Sequence, residues 1–433
     1  MSLSRPYVVS WNLTYRCNLA CEHCYLDAGA RPQVETENFT DRSELSTEQC
    51  YDVIEQIAGF APEALTILTG GEPLLRRDIL AIVRRAAERG LWVVVGTNGV
   101  KISATLARLL ADHGVRGMSL SLDALDPEAH DRFRRVRGAW QNTVDGAKIL
   151  RDAELPFIVQ TTVGAHNAHE LEAIAEFAHR ELAAKVWNLY FLVPTGRGPF
   201  VSDISREEYD AVLERLARIQ RGYGSSMMVN AKCAPHHVRQ LLAEDPPSPL
   251  LRTYAGGAGG CPAGTHYLGI RPNGDLTPCP YLPVFAGNLR RERLDELWRN
   301  SELFVRIRER GGLGGRCGAC ELGGVCGGCR ARAFGVTGDY MAEDPLCTHQ
   351  PGTVPAERLL SIGGFEYGTD EPATLDWEPA ATERIGRVPA FVRGMVRRAV
   401  ETHCRREGID RVTVDTLETI RARMPRAGLF SRR

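Results

Sequence analysis

The sequence predicts an α/β fold: a partial (β/α)6 barrel of the TIM type, followed by a small cysteine-rich domain and a small helical C-terminal module. Two observations predict it. Six short β-rich runs alternate with amphipathic stretches, at Tyr7 to Leu13, Leu65 to Thr69, Trp92 to Gly96, Gly117 to Leu122, Phe157 to Val163 and Val186 to Val193, and such alternation implies parallel β/α units. Farther on, a glycine-rich segment carries seven cysteines between Cys261 and Cys347; too poor in apolar residues for a large core, it reads as a domain stapled by metal. The expected division is 1–225 for the barrel, 226–352 for the cysteine-rich domain, 353–375 for a linker and 376–433 for the module.

The 433 residues, 43% apolar and 25% charged, are those of a globular chain with room for two or three domains. A formal net charge of -1 gives no basic footprint for nucleic acid or an anionic membrane. No signal peptide or transmembrane stretch is read. Thirteen cysteines without a secretion signal argue for reduced thiols and metal clusters rather than disulfides, so an oxygen-poor cytoplasm is the expected setting.

The first strand runs into Cys17-Asn-Leu-Ala-Cys21-Glu-His23-Cys24-Tyr25, with no fourth cysteine before Cys50. Iron-sulfur clusters are usually held by four thiolates, so a compact trio leaves one iron open to a substrate or cofactor; a zinc site or a core is the alternative at this point. Ser46 with Gln49 then forms a capping-box pattern ahead of Cys50, Val53, Ile54 and Ile57 at helical spacing, so Cys50 reads as core. Cys404, after Val396 and Val400, reads likewise. The second strand ends at Thr69-Gly70-Gly71-Glu72-Pro73, where glycines let backbone approach a ligand and Glu72 can accept from an ammonium. The third ends at Thr97-Asn98-Gly99 and the fourth at Ser119-Leu-Ser121-Leu-Asp123, polar groups suited to a ribose or a carboxylate. All fall at the carboxyl ends of strands, where barrel enzymes gather function.

The Cys-x3-Cys-x2-Cys trio with its Gly-Gly-Glu-Pro loop resembles the radical S-adenosylmethionine (SAM) superfamily. The resemblance implies that Cys17, Cys21 and Cys24 hold a [4Fe-4S] cluster whose open iron is chelated by SAM. One electron then cleaves the sulfonium to a 5'-deoxyadenosyl radical that takes a hydrogen atom from substrate. It also implies that Gly70, Gly71, Glu72 and Pro73 serve the SAM amino group, and that the backbone of His23 and the ring of Tyr25 border the adenine. Asn98, Ser121 and Asp123 supply further polar contacts, with Thr162 and Asn167 as additional candidates, and Arg134 or Arg137 faces the SAM carboxylate.

Downstream, Cys261-x12-Gly274-x4-Cys279, Cys317-x2-Cys320-x5-Cys326-x2-Cys329 and Cys347 resemble the seven-cysteine SPASM extension of radical SAM enzymes, except that two residues rather than three separate the fifth and sixth cysteines. Zinc ribbons place about fifteen to twenty residues between their knuckles, far more than lie between Cys320 and Cys326. The family's interleaved connectivity implies an outer cluster on Cys317, Cys320, Cys326 and Cys347 and an inner one on Cys261, Cys279 and Cys329. The inner set then lacks a ligand. Cys233, in Lys232-Cys-Ala-Pro-His236-His237, is a candidate for it, beside an open iron or a buried structural thiol; the histidines read as hydrogen-bonding residues more readily than as ligands.

Fold alone does not choose a substrate. The segments Leu192-Val-Pro-Thr-Gly196-Arg197-Gly198, Cys279-Pro-Tyr281-Leu-Pro and Cys326-Gly-Gly-Cys329-Arg-Ala-Arg-Ala together resemble the tetrapyrrole-modifying branch. Its members oxidatively decarboxylate propionates of iron-coproporphyrin to vinyls, or remove propionates during nitrite-reductase haem synthesis. Past the linker, Trp377-Glu-Pro-Ala and Val388-Pro-Ala-Phe391-Val-Arg393-Gly-Met-Val-Arg397-Arg398 resemble the C-terminal domain of the light-independent protochlorophyllide reductase B subunit. The arginines read as a solvated face, or as one that meets propionates or a redox partner. The expectation is a radical SAM oxidoreductase or lyase acting on a tetrapyrrole in haem biosynthesis, reduced by a low-potential donor such as flavodoxin or ferredoxin. The alternative is a maturase of a ribosomal peptide or of a metal-cofactor enzyme.

Overall fold

The computed structural model describes residues 5–29, 43–200, 204–224, 226–244, 251, 260–354, 358, 373–386, 388 and 390–423. Strands β1 (Val8–Asn12), β2 (Leu65–Thr69), β3 (Trp92–Thr97), β4 (Gly117–Ser121), β5 (Phe157–Val163) and β6 (Val186–Phe191) lie parallel and side by side in chain order, at the six predicted places. All six residues of β3 are buried, as expected of a strand covered on both faces. Helices α1 (Thr47–Phe60), α2 (Ile79–Glu88), α3 (Ala104–Asp112), α4 (Pro127–Arg134), α5 (Ala139–Asp152) and α6 (Leu171–Arg180) make the crossovers. Helix α1 begins on reciprocal bonds between Ser46 and Gln49 and turns Cys50, Val53, Ile54, Ile57 and Phe60 into the core.

The boundary expected at residue 225 does not interrupt the sheet. Strand β7 (Met228–Lys232) continues the parallel order beside β6, and β8 (Tyr267–Ile270) returns to the other edge of β1, again in parallel. Strands β9 (Asp275–Thr277) and β10 (Gly287–Asn288) follow antiparallel. β7 carries Asn230 and Lys232, and β8 has only four residues, so neither shows the β-branched alternation that marks a strand from sequence. Among the described residues the barrel and the cysteine-rich region thus share a sheet of ten strands, with β7 and β10 at its edges.

Most of the expected linker lies outside the described residues. Beyond it, helices Pro379–Gly386, Ala390–Arg406 and Val414–Arg423 pack with two short parallel strands, Asp376–Trp377 and Arg411–Val412, around Ala381, Val400, Cys404, Val412 and Ile420. Arg393 lies on neither a solvated face nor one turned to a ligand. It is buried and pairs with Glu63 at 2.9 Å, in the turn that feeds the amino end of β2, while the Arg397 guanidinium lies over the Trp377 ring. This clasp is on the side of the barrel away from the carboxyl strand ends. A chain ending at about Pro372 should therefore form 5'-deoxyadenosine at the full-length rate in an anaerobic SAM-cleavage assay; loss of that activity would show that the module supports the reaction cleft.

Candidate active site

The carboxyl ends of the barrel strands open into one cleft, faced by Cys17, Cys21 and Cys24, by Gly70, Gly71, Asn98 and Ser121, and by Tyr190, Tyr267 and Tyr281. The cysteine loop has little regular structure and is held from neighbouring loops. The N–H groups of Gly71 and Glu72 donate to the carbonyls of Thr14 and Arg16 at 2.7 and 2.8 Å. The Arg197 guanidinium donates to the carbonyls of Cys21 (2.8 Å) and Ala28 (3.0 Å) and pairs with buried Asp27 at 3.0 Å. A Cβ on Gly71 would stand 2.2 Å from the Arg16 oxygen, and one on Gly196, at φ +58°, 2.4 Å from that of Cys24. The glycine expected to admit ligand at 71 thus first admits the backbone of the cysteine loop.

Each thiol of the trio receives an N–H. Leu19 donates to Cys17 Sγ at 3.4 Å, Arg134 to Cys21 Sγ at 3.6 Å, and Ala28 to Cys24 Sγ at 3.3 Å. Burial pushes the Cys17 thiol up to about 12 and raises that of Cys21, and a coordinated metal deprotonates a thiol outright. Three such thiols beside an open cleft suit a cluster with one exposed iron.

Several predicted ligand contacts are spent inside the protein. Glu72, fully buried, accepts from Thr97 Oγ1 (2.9 Å), Asn98 N (2.9 Å) and Leu74 N (3.1 Å), and burial raises its carboxyl to about 7. It braces the turn after β3. Pro73 opens the short helical turn that follows. Burial would raise Asp123, but the charge of Arg134 holds it down, at about 2. Arg134 Nε donates to Asp123 Oδ2 at 2.6 Å, so its charge is already balanced, and Arg137 is exposed. Asp123 also accepts from Thr162 N at 2.8 Å, and Asn167 donates to the carbonyls of Asp123 and Thr162 at 2.6 and 2.9 Å. The His23 ring stacks on Phe133 with centroids 4.4 Å apart, Tyr25 donates to Asn12 Oδ1 at 2.7 Å, and Asn98 Nδ2 donates to Asn18 Oδ1 at 2.9 Å. Residue type announces polarity, but which buried donor claims each acceptor depends on packing across loops.

The remaining candidate thiols form two sets of four. Cys233, Cys261, Cys279 and Cys329 pack in one cluster. Cys233 has a left-handed backbone, φ 58°, uncommon for a residue other than glycine. Cys317, Cys320, Cys326 and Cys347 surround a second cavity, with Leu322 N donating to Cys320 Sγ at 3.3 Å and Gly328 N to Cys326 Sγ at 3.5 Å. Burial raises Cys261, Cys279 and Cys347 and takes Cys320 up to about 11, so the fit to a thiolate-binding cluster holds here too. The two arginines after Cys329 are structural. Arg332 pairs with Asp344 (3.0 Å) and donates to the carbonyls of Leu192 (3.2 Å) and Cys233 (2.8 Å). Arg330 donates to those of Tyr340 (2.9 Å) and Ala342 (2.7 Å). His236 shares a hydrogen bond of 2.9 Å with the Tyr209 hydroxyl. The sequence reading gave no role to Arg197, Tyr190 or Tyr281; the Gly-Arg-Gly after the sixth strand and the Pro-Tyr after Cys279 were the signals available.

Comparison with known proteins agrees with this geometry. A profile of the radical SAM superfamily matches residues 11–178, the SPASM iron-sulfur cluster-binding domain matches 261–329, and the proto-chlorophyllide reductase 57 kD subunit matches 377–421. Over 352 residues the chain is 38% identical to the AdoMet-dependent heme synthase of Methanosarcina barkeri, covering 80% of this chain and 97% of that one. The chain belongs to the AdoMet-dependent heme synthase family. It is a radical SAM enzyme of heme biosynthesis with SAM and iron-sulfur cofactors. This chain is also 27% identical over 394 residues to the PqqA peptide cyclase of Xanthomonas oryzae pv. oryzae, covering 86% of this chain and 98% of that one. Its fold is that of Streptococcus suis SuiB solved with S-adenosylmethionine, at a TM-score of 0.63 and 17% identity over 80% of this chain and 78% of that one. Among the described residues no helix is long and apolar enough to cross a membrane.

Cys17→Ala, Cys21→Ala and Cys24→Ala should each abolish 5'-deoxyadenosine formation after anaerobic reconstitution; cleavage retained in all three would remove the trio from the reaction. Arg197→Met leaves Asp27 buried without its guanidinium and should cost about 3–5 kcal/mol of stability in a denaturant titration.

Proposed function

We propose that this enzyme oxidatively decarboxylates propionate side chains of an iron-coproporphyrin to vinyl groups. The observation that carries the reading is the position of Tyr281, which faces the same cleft as the cysteine trio. Its ring lies 4.5 Å from that of Tyr25 and packs in the apolar cluster that holds Cys233, Cys261, Cys279 and Cys329. One site therefore spans the loop suited to radical generation and a thiol set suited to an electron sink. In this reading Cys17, Cys21 and Cys24 hold the SAM-binding cluster, the Cys233 set the inner auxiliary cluster and the Cys317 set the outer one.

When bound, these groups supply the electron that cleaves SAM, the deoxyadenosyl radical that removes hydrogen, and an acceptor for the electron left over. For each propionate, one hydrogen leaves the β-carbon and one carbon-carbon bond breaks. Carbon dioxide departs, a double bond forms and one electron is released. No protein base is required. The protein orients the propionate and excludes competing hydrogen donors, and a low-potential carrier such as flavodoxin or ferredoxin returns the electron that SAM cleavage consumes. Family membership supports the tetrapyrrole. The resemblance to a peptide cyclase favours a second reading, oxidation of a peptide in the same cleft.

Reduced, reconstituted enzyme with SAM and iron-coproporphyrin should form 5'-deoxyadenosine together with stepwise loss of carboxyl mass from the porphyrin, followed by mass spectrometry. Deoxyadenosine formed over an unchanged porphyrin would overturn the proposal in favour of the peptide. Iron analysis should give about twelve irons per chain for three four-iron clusters; active protein holding about four would remove the auxiliary clusters from the account.

A further inference from the structure

The cleft is lined mostly by neutral groups. Its two arginines among the described lining residues, Arg134 and Arg197, are each paired with a buried aspartate, Asp123 and Asp27. Of the four tyrosines that face it, Tyr25 donates to Asn12 Oδ1. Tyr190 accepts from Gln160 Nε2 at 3.4 Å, which leaves its own O–H to donate. The Tyr281 hydroxyl has no hydrogen-bond partner among the described residues. The two rings are neighbours, with centroids 6.3 Å apart, and both stand between the cysteine trio and the Cys233 set.

We propose that the Tyr190 and Tyr281 hydroxyls hold the substrate carboxylate that leaves as carbon dioxide, a task more commonly given to arginine. The inference rests on the propionate reading and names the groups that would carry it out. A phenol offers one neutral donor, whereas a guanidinium offers a charged, bidentate fork. A fork would stabilise most the full carboxylate charge, which is present before carbon dioxide departs and absent after, so it would favour the ground state over the transition state. Two phenols orient the group while stabilising that charge less. They also place it beside the thiol set proposed as the site of the electron acceptor.

The test compares wild-type enzyme with Tyr190→Phe, Tyr281→Phe and the double variant, each checked for equal iron content. Anaerobic reactions with SAM and iron-coproporphyrin are read for 5'-deoxyadenosine, carbon dioxide and porphyrin binding by absorbance. Phenylalanine keeps the ring packing, so iron content should persist, while porphyrin binding weakens with the loss of a donor to the carboxylate. Carbon dioxide per deoxyadenosine should fall about tenfold in each single variant, the worth of one hydrogen bond to a charged group, and farther in the double variant. An unchanged ratio in the single variants overturns the assignment, as does a loss of deoxyadenosine formation itself, which would place the tyrosines in the SAM site. Wild-type enzyme that cleaves SAM but releases no carbon dioxide overturns the propionate reading and this inference together.

Discussion

The mouth of the barrel depends on the Arg197 guanidinium. It arises from the loop after β6 and binds the loop after β1, joining the two ends of a six-strand run across a sheet whose edges do not meet. Such a charge costs several kcal/mol to bury unless it is paired and hydrogen-bonded, and Asp27 with two carbonyls meets both conditions. The three cysteines consequently keep their spacing as a property of the protein, and the segment that presents them needs no sheet or helix of its own.

The same solution recurs in the cysteine-rich region. Arg332 joins the end of β6, the backbone of Cys233 and the loop at Asp344, and Asp344 accepts the N–H of Cys329 at 2.7 Å. A single buried ion pair thereby fixes two thiols of one set relative to the barrel. Because Arg134 and Arg197, the arginines facing the cleft among the described residues, are each paired with a buried aspartate, the cleft keeps little electrostatic bias. Recognition there falls to neutral donors and shape.

Much of the barrel was legible in the sequence because its strands are rich in β-branched and apolar residues, buried throughout in β3 and alternately in β2 and β5. Thr69, Thr97 and Ser121 fall at strand ends where a site was expected, and the cysteine spacing marked the chemistry. The later strands were illegible for a physical reason: β8 is four residues long and finds its partner far upstream in β1, so no local periodicity reveals it. Glu72, Asp123 and Arg134 were recognised as site residues, but their protein partners on neighbouring loops were not legible. Arg393 was misread because an arginine on an amphipathic helix looks solvated until Glu63, some 330 residues earlier, is brought to it.

The placement of β1 between β2 and β8 bears on how the chain matures. Asn12 donates to the carbonyl of Ile270, 258 positions later, so one edge of the strand leading into the cysteine trio stays unpaired through most of synthesis on the ribosome. Unpaired strand edges recruit wrong partners, and contacts this distant form late. The strand that leads into the cysteine trio is therefore complete only after β8 has emerged.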